Sequence, residues 1–246
     1  MSDQKEKMKA FAAECEAIGI SLSEKQLDQF LTYYHMLIEK NKVMNLTAIT
    51  DFDEVLQKHF LDSLSVVKAY ELTGRESMID IGTGAGFPGI PLKIAFPEMK
   101  VLLLDSLNKR LLFLNEVIEE LGLENIETIH GRAEDFGRDQ KYREQFDLCL
   151  SRAVANLSTL SELCLPFVKR GGYFISYKSG QVDEEVQDAK RAIQLLGGKN
   201  TRLEKFELPN SDISRSFVVI SKTISTPANF PRKPGIPAKK PISCRK

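Results

Sequence analysis

The 246-residue sequence predicts an α/β fold, a doubly wound, mostly parallel seven-stranded sheet with an N-terminal helical appendage. Three observations predict it. From Glu76 onward, short apolar runs alternate with helix-patterned stretches, the rhythm of a parallel sheet with helices on both faces. The first run breaks into a turn that holds Gly82, Gly84, Gly86 and Gly89. Before that run, residues 4–70 follow a helical period instead.

In the appendage, Leu27, Phe30, Leu31, Tyr34 and Ile38 form one apolar stripe at i, i+3, i+4, i+7 and i+11. Ser21 with Glu24 has the spacing of a capping box and predicts where that helix starts. The stretch "NKVMNLTAITDF" (41–52) interrupts the pattern with turn-forming and β-branched residues, and a further helix is expected over 59–70. Strands are expected at 77–81, 100–105, 125–130, 146–150, 172–177, 200–207 and 215–222, and helices at 89–96, 107–121, 156–168 and 182–196. The helix at 107–121 carries Leu107, Leu111, Leu114, Ile118 and Leu121 on one face. The last two strands are joined by "LPNSDIS", which makes them a hairpin and the final strand antiparallel to its neighbours. These patterns divide the chain into the appendage (1–70), a sheet domain (71–226) and a tail (227–246).

Composition narrows the class. No apolar run approaches ~18 residues, and Lys5, Lys7 and Lys9 precede no apolar segment, so a cytoplasmic, membrane-free protein is expected. Cys15, Cys149, Cys164 and Cys244 are scattered and form no C-x-x-C pair, which predicts reduced thiols and no metal site. His35 and His130 read as packing residues; His59-Phe-Leu-Asp62 reads equally as a helix-start hydrogen bond or as part of a site. A monomer is expected. The net charge is zero, yet residues 227–246 hold Arg232, Lys233, Lys239, Lys240, Arg245 and Lys246 and no acid. Five of the ten prolines also lie there, so the tail is expected to be extended and irregular, and its charge is that of a nucleic-acid arm or of a solvated end.

In a doubly wound sheet a ligand lies beyond the C-terminal ends of the strands, beside the first strand. The turn there, "DIGTGAG" (80–86), admits two registers. Residues 84–89 match the dinucleotide fingerprint G-x-G-x-x-G, but Gly84 lies three residues past Ile81, too far from the strand end for a pyrophosphate site. Residues 80–86 match the acidic-x-G-x-G-x-G turn of S-adenosylmethionine-dependent methyltransferases, Rossmann-like enzymes of class I. That cofactor carries a sulfonium and an ammonium and no phosphate, which suits Asp80. Asp105 ends the second strand, where a carboxylate can accept from both ribose hydroxyls; alone it could instead cap the following helix. Ala133 and Glu134, after the third strand, are placed to meet the adenine, although Glu134 could simply begin a helix.

The fourth strand ends in Ser151, Arg152, Ala153 and Val154, not in the D/N/S-P-P-aromatic motif that grips an exocyclic amine. No cysteine has the Pro-Cys setting of base C5 methylation. A ring nitrogen with an exposed lone pair, such as guanine N7, needs no general base and suits what remains.

The segments "MNLTAIT" (44–50), "HFLDSL" (59–64), "IDIGTGAGFPGIPLKI" (79–94), "LDSLNKRLLFL" (104–114), "GRAEDF" (131–136), "FDLCLSRAVANL" (146–157) and "FPRKPGIPAKKP" (230–241) occur in this order. Together they resemble the bacterial ribosomal RNA small subunit methyltransferase G family, also called glucose-inhibited division protein B. The resemblance implies methyl transfer from S-adenosylmethionine to N7 of one guanine in the decoding-region loop of 16S rRNA, free or in the small subunit. It implies cofactor contacts at Gly82, Phe87, Ala133, Glu134 and Arg152, to which the residue reading adds Asp80, Gly84 and Asp105. Arg152 is the catalytic candidate, holding the target guanine or a phosphate, or else an ion pair with Asp80 or Glu134. RNA contacts are assigned to Arg232, Lys233, Lys239 and Lys240, and to Lys178 and Arg215 at the sheet's rim.

The chain departs from the family in having no tryptophan before "NLT", where Lys40 and Asn41 stand, and in a serine between Lys178 and Gly180. Two other functions fit less of the pattern: methylation of a protein or metabolite, and RNA binding without catalysis.

Overall fold

The computed structural model describes residues 2–152, 155–180 and 182–243. The N-terminal segment folds as α1 (Ser2–Ala17), α2 (Glu24–Met44) and α3 (Phe52–Val55). From α3 the chain runs on through a π-helical turn (Leu56–Leu61), α4 (Asp62–Leu64) and a 3₁₀ turn (Ser65–Lys68). The capping box at the start of α2 is Ser23 with Gln26, two residues beyond the pair expected from spacing. Gln26 also reaches the backbone carbonyls of Ile94 and Ala95, so the cap docks the helix as well as starting it. The buried face of α2 is Phe30, Tyr33 and Leu37, rotated from the predicted stripe because Leu27, Leu31 and Tyr34 end up only partly covered.

Then follow β1 (Ser77–Ile81), α5 (Gly89–Ala95), β2 (Lys100–Asp105), α6 (Asn108–Glu120), β3 (Ile126–His130), α7 (Ala133–Phe136) and β4 (Phe146–Ser151). The second half is α8 (Leu157–Cys164), β5 (Val168–Ser179), α9 (Asp183–Leu195), β6 (Gly198–Glu207), β7 (Ser214–Lys222) and the one-turn α10 (Ile236–Lys239). The sheet has seven strands in the order β3-β2-β1-β4-β5-β7-β6. All pairings are parallel except those of β7, which runs antiparallel between β5 and β6. The strand order reverses between β1 and β4, which opens a crevice at their C-terminal ends.

Successive strand residues feed opposite faces. Met78, Leu148, Leu150 and Ile175 join one core with Phe11, Phe30, Tyr33 and Phe60 of the N-terminal helices. Ile79, Ile81, Cys149 and Phe174 join the other with α8, α9 and Phe230 of the tail. The tail is therefore not a free extension. It is irregular over most of its length, but Phe230 and Pro231 are buried and Arg143 donates to the carbonyls of Thr226, Pro227 and Phe230. No helix among the described residues is long and apolar enough to cross a membrane.

Candidate active site

A cavity of about 530 Å³ opens at the C-terminal ends of β1 to β4, within the size range of small-molecule sites. Gly82, Gly84, Phe87, Asp105, Ala133, Glu134 and Arg152 all line it. These seven residues, read separately along 71 positions of sequence, share one space.

The glycine turn is held from behind. Gly82, Gly84 and Gly86 have φ of 72°, 64° and 103°, a region closed to most side chains. Gly82 and Thr83 donate to the Leu104 carbonyl of β2, at 2.9 and 3.1 Å, which pins the turn to the neighbouring strand. Tyr33 of α2 donates its hydroxyl to the Ala85 carbonyl. The appendage is thus a brace under the turn.

Asp80 does not line the cavity, contrary to the expectation that it meets a cofactor ammonium. It is fully buried beneath the turn and accepts from the Thr83 hydroxyl at 2.7 Å and the Gly89 amide at 3.0 Å. Burial pushes its carboxyl up to about 6, against the pull of those two donors and of Arg152. Its Oδ1 has no partner among the described residues. Asp105 takes the Leu107 amide on Oδ1 and the Gly84 amide on Oδ2, both at 2.9 Å, with Arg110 at 3.3 Å. Asp105 thus holds the turn that leads into α6 and also presents its carboxylate to the cavity.

At the other end of the cavity Arg152 lies over the Phe87 ring, 4.9 Å from its centroid. Its guanidinium donates to Asp62 Oδ2 at 3.0 Å and to the Lys58 carbonyl at 3.1 Å, and its Nη2 lies 3.3 Å from His59 Nδ1. The ion pair is with Asp62, not with Asp80 or Glu134. Asp62 also takes Arg215 Nε at 2.7 Å, so one buried carboxylate holds two arginines. His59 Nδ1 lies between the Arg152 guanidinium and the Lys58 carbonyl, at 3.3 and 3.2 Å, and its Nε2 lies 2.7 Å from the Thr47 hydroxyl. Burial and the adjacent Arg152 push His59 down to about 4, which keeps the imidazole neutral.

Thr47 and Arg110 line the cavity although no expectation placed them there, and His59, left open between a site and a helix start, joins the site together with Asp62. The signals lay in the "NLT" and "HFLDSL" segments, in the helical appendage and far from any strand end, and in "LDSLNKRLLFL", which carries Arg110.

The expected RNA contacts divide. Arg232 is committed inward, with Nε and Nη2 on Glu162 at 2.9 and 2.6 Å; Lys178 holds Glu185 and the Ala155 carbonyl, and Arg215 holds Asp62. Lys233, Lys239 and Lys240 are exposed. Arg245 and Lys246, like Ala153 and Val154 after the fourth strand, lie outside the described residues. His35 and His130 are exposed and do not pack in the core. Among the described residues no three His, Cys, Asp or Glu side chains gather as a metal site.

Solved structures show the same fold. A SAM-dependent methyltransferase from Aquifex aeolicus is similar over 72% of this chain and 96% of its own, with TM-score 0.52 and 19% identity. A putative S-adenosyl-L-methionine-dependent methyltransferase from Methanococcus maripaludis is similar over 78% and 93%, with TM-score 0.53 and 16% identity. Much closer in sequence are proteins named ribosomal RNA small subunit methyltransferase G. That of Lachnoclostridium phytofermentans is 54% identical over 230 residues, 94% of this chain and 95% of its own. That of Desulforamulus reducens is 53% identical over 243 residues, 99% and 100%. The family model described as rRNA small subunit methyltransferase G matches residues 26–215, so the chain belongs to that family.

Proposed function

We propose that the protein methylates N7 of one guanine in the decoding-region loop of 16S rRNA, with S-adenosylmethionine as donor. One observation carries the reading: the glycine turn, Asp105 and Glu134 share a cavity with Arg152, which lies on Phe87.

The residues present fit that donor. A Cβ on Gly84 would meet nothing nearer than the Gly82 carbonyl at 3.9 Å, so the turn leaves open space where a ligand can touch backbone. Two carboxylates, Asp105 and Glu134, line the same wall, a donor set suited to hydroxyls, amines and positive charge. Ala133 and Glu134 would take the adenine, Asp105 the ribose, and the backbone at Gly82 and Gly84 the amino-acid portion. When bound, S-adenosylmethionine supplies an electrophilic methyl group on a sulfonium.

Guanine N7 carries its own lone pair, so no side chain need remove a proton, and the protein's task is to position and orient. Arg152 does this from a fixed perch, because Asp62, the Lys58 carbonyl and the Phe87 ring set the plane of its guanidinium. The free edge can donate to a base oxygen or a phosphate. His59 stays neutral and adds no positive charge where a cationic group is to be bound. Lys233, Lys239 and Lys240 supply charge for the RNA backbone. In this reading the appendage (1–70) braces the turn, the sheet domain (71–226) binds donor and base, the described part of the tail (227–243) flanks the site, and the protein works as a cytoplasmic monomer.

The test supplies methyl-labelled S-adenosylmethionine and small subunits lacking the modification, then cuts the RNA with borohydride and aniline, which cleave at 7-methylguanosine. One cut in the decoding-region loop is expected. Saturable donor binding without labelled RNA, on naked rRNA and on whole subunits alike, moves the substrate to a protein or metabolite.

A further inference from the structure

Glu134 is the buried carboxylate at the adenine end of the cavity, and nothing in its own strand or helix fixes it. Its Oε1 accepts a hydrogen bond from the Gly235 amide at 2.9 Å, from 101 residues downstream. No other hydrogen bond to this carboxylate comes from the described residues. We infer that residues 226–242 form a strap that completes the cofactor site, and that Arg232 is a positioning residue that holds Glu134 for the cofactor through Gly235. This rests on the cofactor reading above.

Gly235 has φ 81°, and a Cβ added there would meet nothing within 4 Å. Space is therefore not the reason for glycine; the left-handed backbone that aims the amide at Glu134 is. That backbone is clamped on both sides. Three residues earlier, the Arg232 amide donates to Glu162 Oε1 at 2.7 Å while its guanidinium takes both oxygens of the same carboxylate, fully buried on α8, through Nε on Oε1 and Nη2 on Oε2. Two residues later, the Pro237 carbonyl accepts from Thr159 Oγ1 of α8 at 3.1 Å. The Ser158 hydroxyl donates to the Ile242 carbonyl at the strap's far end.

The strap's root is anchored as well. Arg138 Nε donates to the Pro231 carbonyl at 2.7 Å, and Arg143 spans three more carbonyls. A Cβ on Gly137, at the end of α7, would come within 3.1 Å of Pro231 Cγ, so the strap lies directly on the helix that carries Glu134. The fork of a guanidinium on a buried carboxylate is directional in a way a single ammonium is not. Without it Glu162 is left as a buried anion with no counter-charge, the strap turns to relieve it, and the Gly235 amide leaves Glu134.

The chemistry is that of a carboxylate oriented by one amide and left with a second oxygen for the cofactor. Arg232 acts through Glu134, so the two are coupled, and a double-mutant cycle separates this from general weakening of the fold.

Affinity for S-adenosylhomocysteine is measured by calorimetry on the full chain, alongside Tm, for wild type, Arg232→Ala, Glu134→Ala, which removes the oxygen that Gly235 holds, and the double variant. Arg232→Ala is expected to weaken binding by about tenfold, about 1.4 kcal/mol. In the Glu134→Ala background the same change is expected to cost less than about threefold. If Arg232→Ala melts below the assay temperature, Glu162→Gln replaces it in the cycle, since it loosens the fork while the charge left over is that of Arg232, which unlike Glu162 reaches solvent; a smaller loss, again confined to chains with Glu134, is expected. Equal losses in both backgrounds, or wild-type affinity in the single variant, overturn the inference and leave the cofactor reading intact. No saturable binding by the wild type overturns that reading, and the inference with it.

Discussion

Gly84 and Gly86 are two residues apart and both have positive φ, yet their neighbours differ. A Cβ on Gly86 would come within 2.7 Å of Tyr33 Oη and Ile90 Cγ1, and 2.9 Å of Leu114. Gly86→Ala should therefore cost about 2–4 kcal/mol, overpacking added to backbone strain, seen as a lower urea midpoint. Gly84→Ala should cost only the strain, about 1–2 kcal/mol, but place a methyl in the cavity and weaken S-adenosylhomocysteine binding more than tenfold, about 1.4 kcal/mol. Retained affinity in Gly84→Ala would show that the turn is not a cradle. His59 supports a pH prediction. Folding lowers its pKa to about 4, so the unfolded chain binds the proton first as pH falls below the ordinary 6.5, and stability is lost from there down to about 4. Asp80, raised to about 6, titrates with the opposite sign over much of the same interval, so the wild type alone hides the effect. The stability of wild type minus that of His59→Gln should narrow by about 3 kcal/mol between pH 7 and 4, by denaturant titration. A constant difference would mean that His59 is not held neutral. Among single residues, Gly82, Gly84, Asp105, Ala133 and Glu134 were legible because each sits at a strand end that periodicity locates. Asp62 was not, because its importance lies in a pair with Arg152 across 90 positions, and no local pattern signals a partner that far away.

At the scale of elements, α2 and the π-helical turn behave as parts of the site, since they deliver Tyr33 to the glycine turn and His59 to Arg152. Aromatic contacts connect them: Tyr33 stacks on Phe60 at 5.3 Å, and His59 on Phe87 at 4.6 Å. Tyr33→Phe keeps that packing but strands the Ala85 carbonyl. It should cost about 1–3 kcal/mol of stability and weaken cofactor binding measurably, whereas stability loss with full affinity would make the brace structural only. Ser23→Ala, at the cap of the same helix, should cost about 1 kcal/mol and leave affinity alone. The strands were readable as short apolar runs, and the antiparallel hairpin from its turn residues. The capping residue was misplaced by two positions because Ser21 and Ser23 both offer a hydroxyl, and only docking of Gln26 onto Ile94 and Ala95 decides between them. The insertion of β7 between β5 and β6 follows composition more than period: the apolar β7 is buried between its neighbours, and the polar, largely exposed β6 takes the edge.

Over the whole molecule, charge is distributed differently from its order along the chain. The tail reads as a uniformly basic arm, yet Arg232 faces inward while Lys233, Lys239 and Lys240 face solvent. If these three lysines meet phosphates, replacing all of them with alanine should make the log–log salt dependence of rRNA binding shallower by about 2, at ~0.7 per phosphate. An unchanged slope would place the RNA elsewhere. Buried carboxylates such as Glu162 are what separate the two kinds of tail charge, and a sequence does not say which carboxylates are buried. The strap has one more consequence, which concerns time. A chain leaving the ribosome at about 5–20 residues per second exposes the glycine turn, Asp105 and Glu134 long before Gly235. The donor to Glu134 and the anchor at Arg232 both arrive after β7 has closed the sheet. If the strap completes the site, the Glu134 end of the cavity gains its amide partner only after β7 has emerged, and a chain interrupted between β7 and Gly235 should hold the cofactor less tightly than one that carries the strap.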